Sequence, residues 1–131
     1  PGLEAYPATP FTQVGLRVDR EVLDRRIADR YRHQLEDGFL DEVRWLAALD
    51  GGPSRSAAQA LGYSELLAHL RGECTLADAI ADAVAATRRF ARRQERWFRR
   101  DPRIEWFDVG ADPLKVLEAV LERFDRCGDP G

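Results

Sequence analysis

The sequence predicts a mostly α-helical chain with two short strands. Three observations carry that expectation. Apolar residues recur at helical spacing through most of the chain, two short stretches alternate polar and apolar instead, and capping residues or Gly and Pro punctuate the joints between them.

Residues 1–10 hold Pro1, Gly2, Pro7 and Pro10 without periodicity and read as a linker. A strand is predicted over 11–18, where Val14, Leu16 and Val18 fall on one side. Residues 19–100 are expected to be helical. Asp19 offers an N-cap to a helix reaching about Asp37, with Glu21 in its first turn and Gly38 as its stop. A second helix, from about Leu40 to Leu49, ends at Asp50-Gly51-Gly52-Pro53. Ser54 or Ser56 caps a short helix to Leu61, and another runs from Ser64 to Leu70 before Gly72. The longest helix follows Thr75 to about Arg100, with Leu76, Ile80, Ala83, Val84, Thr87, Phe90, Ala91, Gln94, Trp97 and Phe98 on one stripe. Pro102 ends it, a strand is predicted over 103–109, and Asp112-Pro113 opens a last helix over 112–126. Two strands leave open edges, so both are expected to join a sheet supplied largely by sequence outside this chain.

At 131 residues, 44% apolar and 33% charged, the chain fits one domain and is neither disordered by composition nor built to span a bilayer. It does not begin with Met, and part of a longer protein is expected upstream. Cys74 and Cys127 lack metal-ligand spacing and His33 and His69 stand on separate helices, so no metal site is expected and the thiols read as reduced, in a cytoplasmic protein. The net charge of −3 hides an asymmetry: Thr87 to Arg103 carries eight arginines against Glu95 and Asp101, a local +6 that leaves −9 for the remainder.

Arg89, Arg93, Arg96 and Arg100 follow i, i+4, i+7 and i+11, so their guanidinium groups share a helix face suited to a phosphate backbone. The alternative is a solvated face paired with acidic neighbours. Spacing assigns Phe90, Trp97 and Phe98 to a core rather than to base stacking. Arg26 and Arg30 stand one turn apart beside His33 and are suited to an anionic leaving group, or else to pairing with Asp24, Asp29 or Glu21. No phosphate-binding Gly-x-x-x-x-Gly-Lys-Ser/Thr loop and no Ser/His/Asp triad occurs.

Three motifs in order carry a resemblance: Arg26-Ile27-Ala28-Asp29-Arg30 with Gly38 to Val43 after it, Ala60-Leu61-Gly62-Tyr63-Ser64-Glu65, and Thr87 through Arg99. From about Gln13 to Phe107 the chain resembles the tRNA dimethylallyltransferase (tRNA isopentenyltransferase) family, in its C-terminal part. The resemblance implies transfer of a dimethylallyl group from dimethylallyl diphosphate to N6 of the adenine 3′ of the anticodon, the adenine being flipped into a channel. It implies a complete enzyme with an α/β P-loop-kinase-like fold around a parallel central sheet. The phosphate loop, the Mg2+ ligands and a catalytic aspartate would lie in the missing N-terminal part, leaving this piece inactive alone. Arg30 matches the arginine that stabilises the departing diphosphate, with Arg26 in support. Gln59, Gly62, Tyr63, Ser64, Arg92, Arg93, Gln94, Arg96, Trp97 and Arg99 match segments that grip the tRNA anticodon stem-loop. The family usually has Lys where Arg92 stands, a basic residue at Ser64 and Thr at Arg96. A stand-alone helical RNA-binding module without catalysis is the alternative, and a purely structural helical domain the third reading.

Overall fold

The computed structural model describes residues 6–110 and 112–127. Residues 1–5 of the expected linker and the thiol of Cys127 lie outside what it describes. In chain order the elements are β1 (Gln13–Arg17), α1 (Arg20–Glu36), α2 (Phe39–Ala48), α3 (Arg55–Ala58), α4 (Tyr63–Leu70), α5 (Leu76–Phe98), β2 (Ile104–Asp108), a 3-10 turn (Pro113–Val116) and α6 (Leu117–Cys127). The architecture is thus mostly helical with two strands. The chain divides into two compact units, a helical one of Asp24–Arg92 and a strand-bearing one of Pro1–Leu23 with Arg93–Gly131.

In the helical unit the joints are made by residues suited to them. Gly38 and Gly62 take left-handed backbone conformations, at φ 97° and 92°, immediately before α2 and α4. Ser54 Oγ accepts from the Ala57 amide at the start of α3, and Thr75 Oγ1 accepts from the Asp78 amide at the start of α5. Val43, Tyr63, Leu66 and Ala79 form a buried cluster, flanked by Leu35, Phe39, Leu46 and Leu70. Ile27 and Tyr31 on α1 and Ala83 and Val84 on α5 are also buried. Small residues on α5 allow a bulky ring nearby, and Tyr31 uses that space: its hydroxyl lies 2.7 Å from Thr87 Oγ1. Thr87 spends its own proton on the Ala83 carbonyl, so Tyr31 is the donor of the pair.

In the strand-bearing unit β1 and β2 pair in parallel, Gln13 opposite Ile104 and Arg17 opposite Asp108. The sequence leads one to expect both strands in a sheet supplied largely from outside this chain, and within the chain the two strands are already neighbours. The long intervening stretch supplies the crossover that a parallel pair requires. Gly15 has no freedom to be larger: a Cβ there would lie 2.6 Å from Cε3 of the Trp106 ring. Arg17 caps that ring at 5.3 Å and also meets Asp108 at 3.7 Å and Glu95 at 3.8 Å. The last helix also departs from expectation, its first turn being 3-10. Pro113 has no amide to offer, and the Asp112 carboxylate accepts from Leu114 instead.

After α5, Arg103 clamps Asp101 with Nε and Nη2 at 2.9 and 2.8 Å, while its Nη1 donates to the Pro7 carbonyl at 3.1 Å. These hydrogen bonds hold Asp101 below the usual carboxylate range against the opposing effect of desolvation. A carboxylate with a lowered folded-state pKa stabilises the fold above its unfolded pKa, and the contribution disappears as pH falls through the folded value. In acid unfolding followed by circular dichroism, Asp101→Asn is therefore expected to be less stable than the parent at neutral pH. The gap should close as pH drops below about 4, and a gap independent of pH would refute the clamp.

Candidate functional site

The arginines of residues 87–103 sort into two sets according to the carboxylates within reach. In the helical unit Arg88 donates through Nη2 to the Asp24 carbonyl at 2.9 Å and sets Nε 3.6 Å from the Asp24 carboxylate. Arg92 reaches the other oxygen of that carboxylate, also at 3.6 Å. Asp24 is half-buried, and the Nε atoms of both arginines are buried without a hydrogen-bond partner, so the pairing is electrostatic more than geometrically exact. In the strand-bearing unit Arg99 donates to Glu95 at 2.7 Å, one helical turn away, and Arg103 is held by Asp101.

Arg93, Arg96 and Arg100 pair with no carboxylate among the described residues. With Trp97 they line a shallow hollow of about 190 Å³ at the C-terminal end of α5. Trp97 is 61% exposed and meets Phe98 edge-on at a ring separation of 5.1 Å. The assignment of the late-α5 aromatics to the core is corrected here: Phe90, Trp97 and Phe98 are all exposed, whereas the apolar stripe is buried only nearer the start of the helix, at Ala79, Ala83 and Val84. An exposed indole framed by three unneutralised guanidinium groups offers a stacking plate and several phosphate donors together. Arg89, in the helical unit, is likewise exposed and makes no ion pair among the described residues.

The other expected site residues are distributed as follows. Arg26 and Arg30 lie exposed one turn apart on α1. Of the acids named as alternative partners, Asp24 meets Arg88 and Arg92, and Asp29 meets Arg32 at 3.2 Å. Gln59 ends α3 and is exposed. Gly62 and Tyr63 are buried, Tyr63 in the core cluster, so this ring anchors the turn rather than reaching outward. Ser64 is exposed and donates to Glu65 at 3.0 Å. Arg92 is half-buried on Asp24, Gln94 is exposed, and Arg99 is tied to Glu95.

Sequence reasoning misses Asp24 as the shared acceptor, since the contact joins residues 64 positions apart and no spacing rule reaches that far. Arg100, which the helical series already groups with Arg93 and Arg96, is absent only from the residues that the family resemblance matches to tRNA contacts. The continuing i+7, i+11 series on α5 is a sufficient signal for it.

Burial and then the neighbouring Asp78, Asp82 and Glu73 push the half-buried Cys74 thiol up, away from the reactive thiolate. Among the described residues no group of three or more His, Cys, Asp or Glu is placed to hold a metal ion, and no helix is long and apolar enough to cross a membrane.

The IPP transferase family model matches residues 3–101. A tRNA dimethylallyltransferase of Kocuria rhizophila is 53% identical over 104 residues, covering 79% of this chain and 33% of that protein. One from Thermobifida fusca is 46% identical over 120 residues, covering 90% of this chain and 38% of its own length. The crystal structure of the full-length tRNA isopentenylpyrophosphate transferase from Bacillus halodurans aligns with a TM-score of 0.77 at 31% identity, over 91% of this chain and 41% of that one. The chain thus spans 33–38% of the length of these curated relatives.

The turn before α4 gives a direct test of the local geometry. A Cβ on Gly62 would stand 2.9 Å from Tyr31 Cε1, at a φ of +92°. Gly62→Ala is expected to destabilise the fold by more than about 1 kcal/mol in urea titration, and an unchanged midpoint would mean that the turn is not held as described.

Proposed function

Taking as premise that this chain belongs to the IPP transferase (tRNA dimethylallyltransferase) family, we propose that it is the C-terminal part of an enzyme that prenylates tRNA. The supporting observation is the Arg93, Arg96, Arg100 and Trp97 hollow, an unneutralised cationic surface on a chain whose net charge is −3. In this reading α5 and the Gln59–Ser64 turn grip the tRNA anticodon stem-loop. Gln59 and Ser64 offer exposed polar groups, while buried Gly62 and Tyr63 fix the turn that carries them. Arg92 and Arg99, already tied to carboxylates, contribute less to phosphate binding than their free neighbours.

The reaction replaces the C1–O bond of dimethylallyl diphosphate with a C1–N6 bond to the adenine 3′ of the anticodon. The diphosphate leaves with the bonding electron pair, and the amine proton passes to a carboxylate outside this chain. Arg30 would meet the charge growing on the bridging oxygen, where an electrostatic donor lowers the barrier most, and Arg26 would support it. Mg2+, held by the N-terminal part of the protein and not by this chain, would supply further charge neutralisation when bound. The complete enzyme would be an α/β P-loop-kinase-like protein of the cytoplasm, with this chain completing its active site.

Two measurements test the reading. Replacing Arg93, Arg96 and Arg100 together by Ala should weaken anticodon stem-loop binding and flatten its salt dependence, lowering the slope of log K against log salt by roughly 0.7 to 0.9 for each phosphate the variant no longer neutralises. Equal slopes for parent and variant would remove the hollow from the interface. In the full-length enzyme, Arg30→Ala should lower kcat on the order of a hundredfold or more while tRNA affinity holds within about twofold. A defect confined to affinity would strip Arg30 of its assigned role.

A further inference from the structure

Arg30 is not placed by contacts of its own side chain. It is exposed and makes no hydrogen bond or ion pair among the described residues, so its position comes from the backbone of α1. A donor that meets charge growing on one oxygen loses effect when displaced by about 1 Å, and the helix that carries it has to be fixed to that precision.

From α5, two contacts two turns apart hold α1. At Asp24, Arg88 donates through Nη2 to the backbone carbonyl at 2.9 Å and sets Nε 3.6 Å from the carboxylate, whose other oxygen Arg92 reaches. Seven residues later the buried Tyr31 donates its hydroxyl to Thr87 at 2.7 Å. Seven residues are about two turns, or roughly 10 Å of helix, so both contacts lie on one side of α1. A helix held at one point can pivot or roll about it, whereas two points fix its height and its rotation together. Arg26 and Arg30 fall between the two points, and Arg30, next to Tyr31 in sequence, stands about 100° round the helix from it.

The chemistry of the contacts suits placement more than stability. The bond from Arg88 goes to main chain, so it restrains the α1 backbone whatever the Asp24 side chain does. A Phe ring would fill the space of Tyr31, and what the hydroxyl adds is direction. Arg88 belongs by sequence to the basic run of α5, yet it is half-buried and already bound, unlike the exposed Arg89 and Arg93 that follow it.

We infer that Arg88 and the Tyr31–Thr87 pair are positioning residues for the transfer step: they hold Arg30 at the departing diphosphate and take no part in gripping RNA. The inference rests on the role proposed for Arg30 above.

The test is a double-mutant cycle in the full-length enzyme, read as the single-turnover rate of prenyl transfer. Arg88→Met should lower that rate about tenfold or more, and Tyr31→Phe, which keeps the ring, about threefold or more. For both variants tRNA affinity should hold within about twofold and the salt slope of binding should be unchanged. In an Arg30→Ala background each should alter the rate by less than about twofold, because the group they position is gone. A clasp that serves only the fold would lower the rate by the same factor in both backgrounds, and that result overturns the inference. So does an unchanged rate for both variants in the parent, or a loss of tRNA affinity with a flatter salt slope for Arg88→Met, which would return Arg88 to the phosphate-binding set. Should Arg88→Met fail to fold, Tyr31→Phe carries the cycle alone. An unchanged rate for Arg30→Ala itself rejects the role proposed for Arg30 and this inference with it, whereas a slow Arg30→Ala with additive effects rejects the positioning alone.

Discussion

In the helical unit α1 and α5 are joined by a clasp, made where Asp24 takes Arg88 and Arg92 and where Tyr31 donates to Thr87. The ionic part is half-exposed and adds little net stability, since ion pairs open to solvent contribute about 1 kcal/mol or less. Apolar burial contributes more, and Ile27 and Tyr31 on α1 and Ala83 and Val84 on α5 are all buried. What the clasp adds is register. Apolar contacts are non-directional, whereas the 2.7 Å Tyr31–Thr87 hydrogen bond and the 2.9 Å bond from Arg88 to the Asp24 carbonyl fix donor against acceptor.

The clasp accounts for two of the arginines, and local carboxylates account for two more. Of the eight between Thr87 and Arg103, Arg88 and Arg92 go to Asp24, Arg99 to Glu95 and Arg103 to Asp101. The remaining four are the Arg89, Arg93, Arg96, Arg100 series that helical spacing sets on one side. Carboxylates therefore divide the arginines, neutralising four and leaving four without an acidic partner among the described residues. Each unpaired guanidinium keeps its five donors free, which suits it to a phosphate oxygen more than to any internal role.

Much of this is legible in the residue order. Thr75 and Asp112 cap the ends expected of them, and Ser54 proves to be the cap where Ser54 and Ser56 are both open by sequence. The alternation around Val14 and Leu16 marks β1, and the arginine series on α5 needs nothing beyond a helical period. What is not legible has a common physical origin. Periodicity tells which residues share a face and is silent on what covers that face, so it groups Trp97 with Val84 although one is exposed and the other buried. It is equally silent on partners distant in sequence, which is why it matches Asp24 to its helical neighbours and does not match β1 and β2 to each other. In the Gly62-Tyr63-Ser64 motif, residue identity alone does not separate the anchor from the group on display. Burial does, sending Tyr63 inward and leaving Ser64 outside.

The same sorting explains how a chain with a net charge of −3 can present a polyanion site at all. Charge interactions across solvent fade over about 8 Å at physiological ionic strength, so the charges lining the α5 hollow count for more there than the chain's total. Within that distance the cations gathered around Trp97 dominate. A nucleic acid arriving there would meet a locally positive surface whose neutralising carboxylates are already committed to other arginines. Local arrangement, with Arg99 on Glu95 and Arg103 on Asp101 while Arg93, Arg96 and Arg100 surround Trp97, outweighs the total charge.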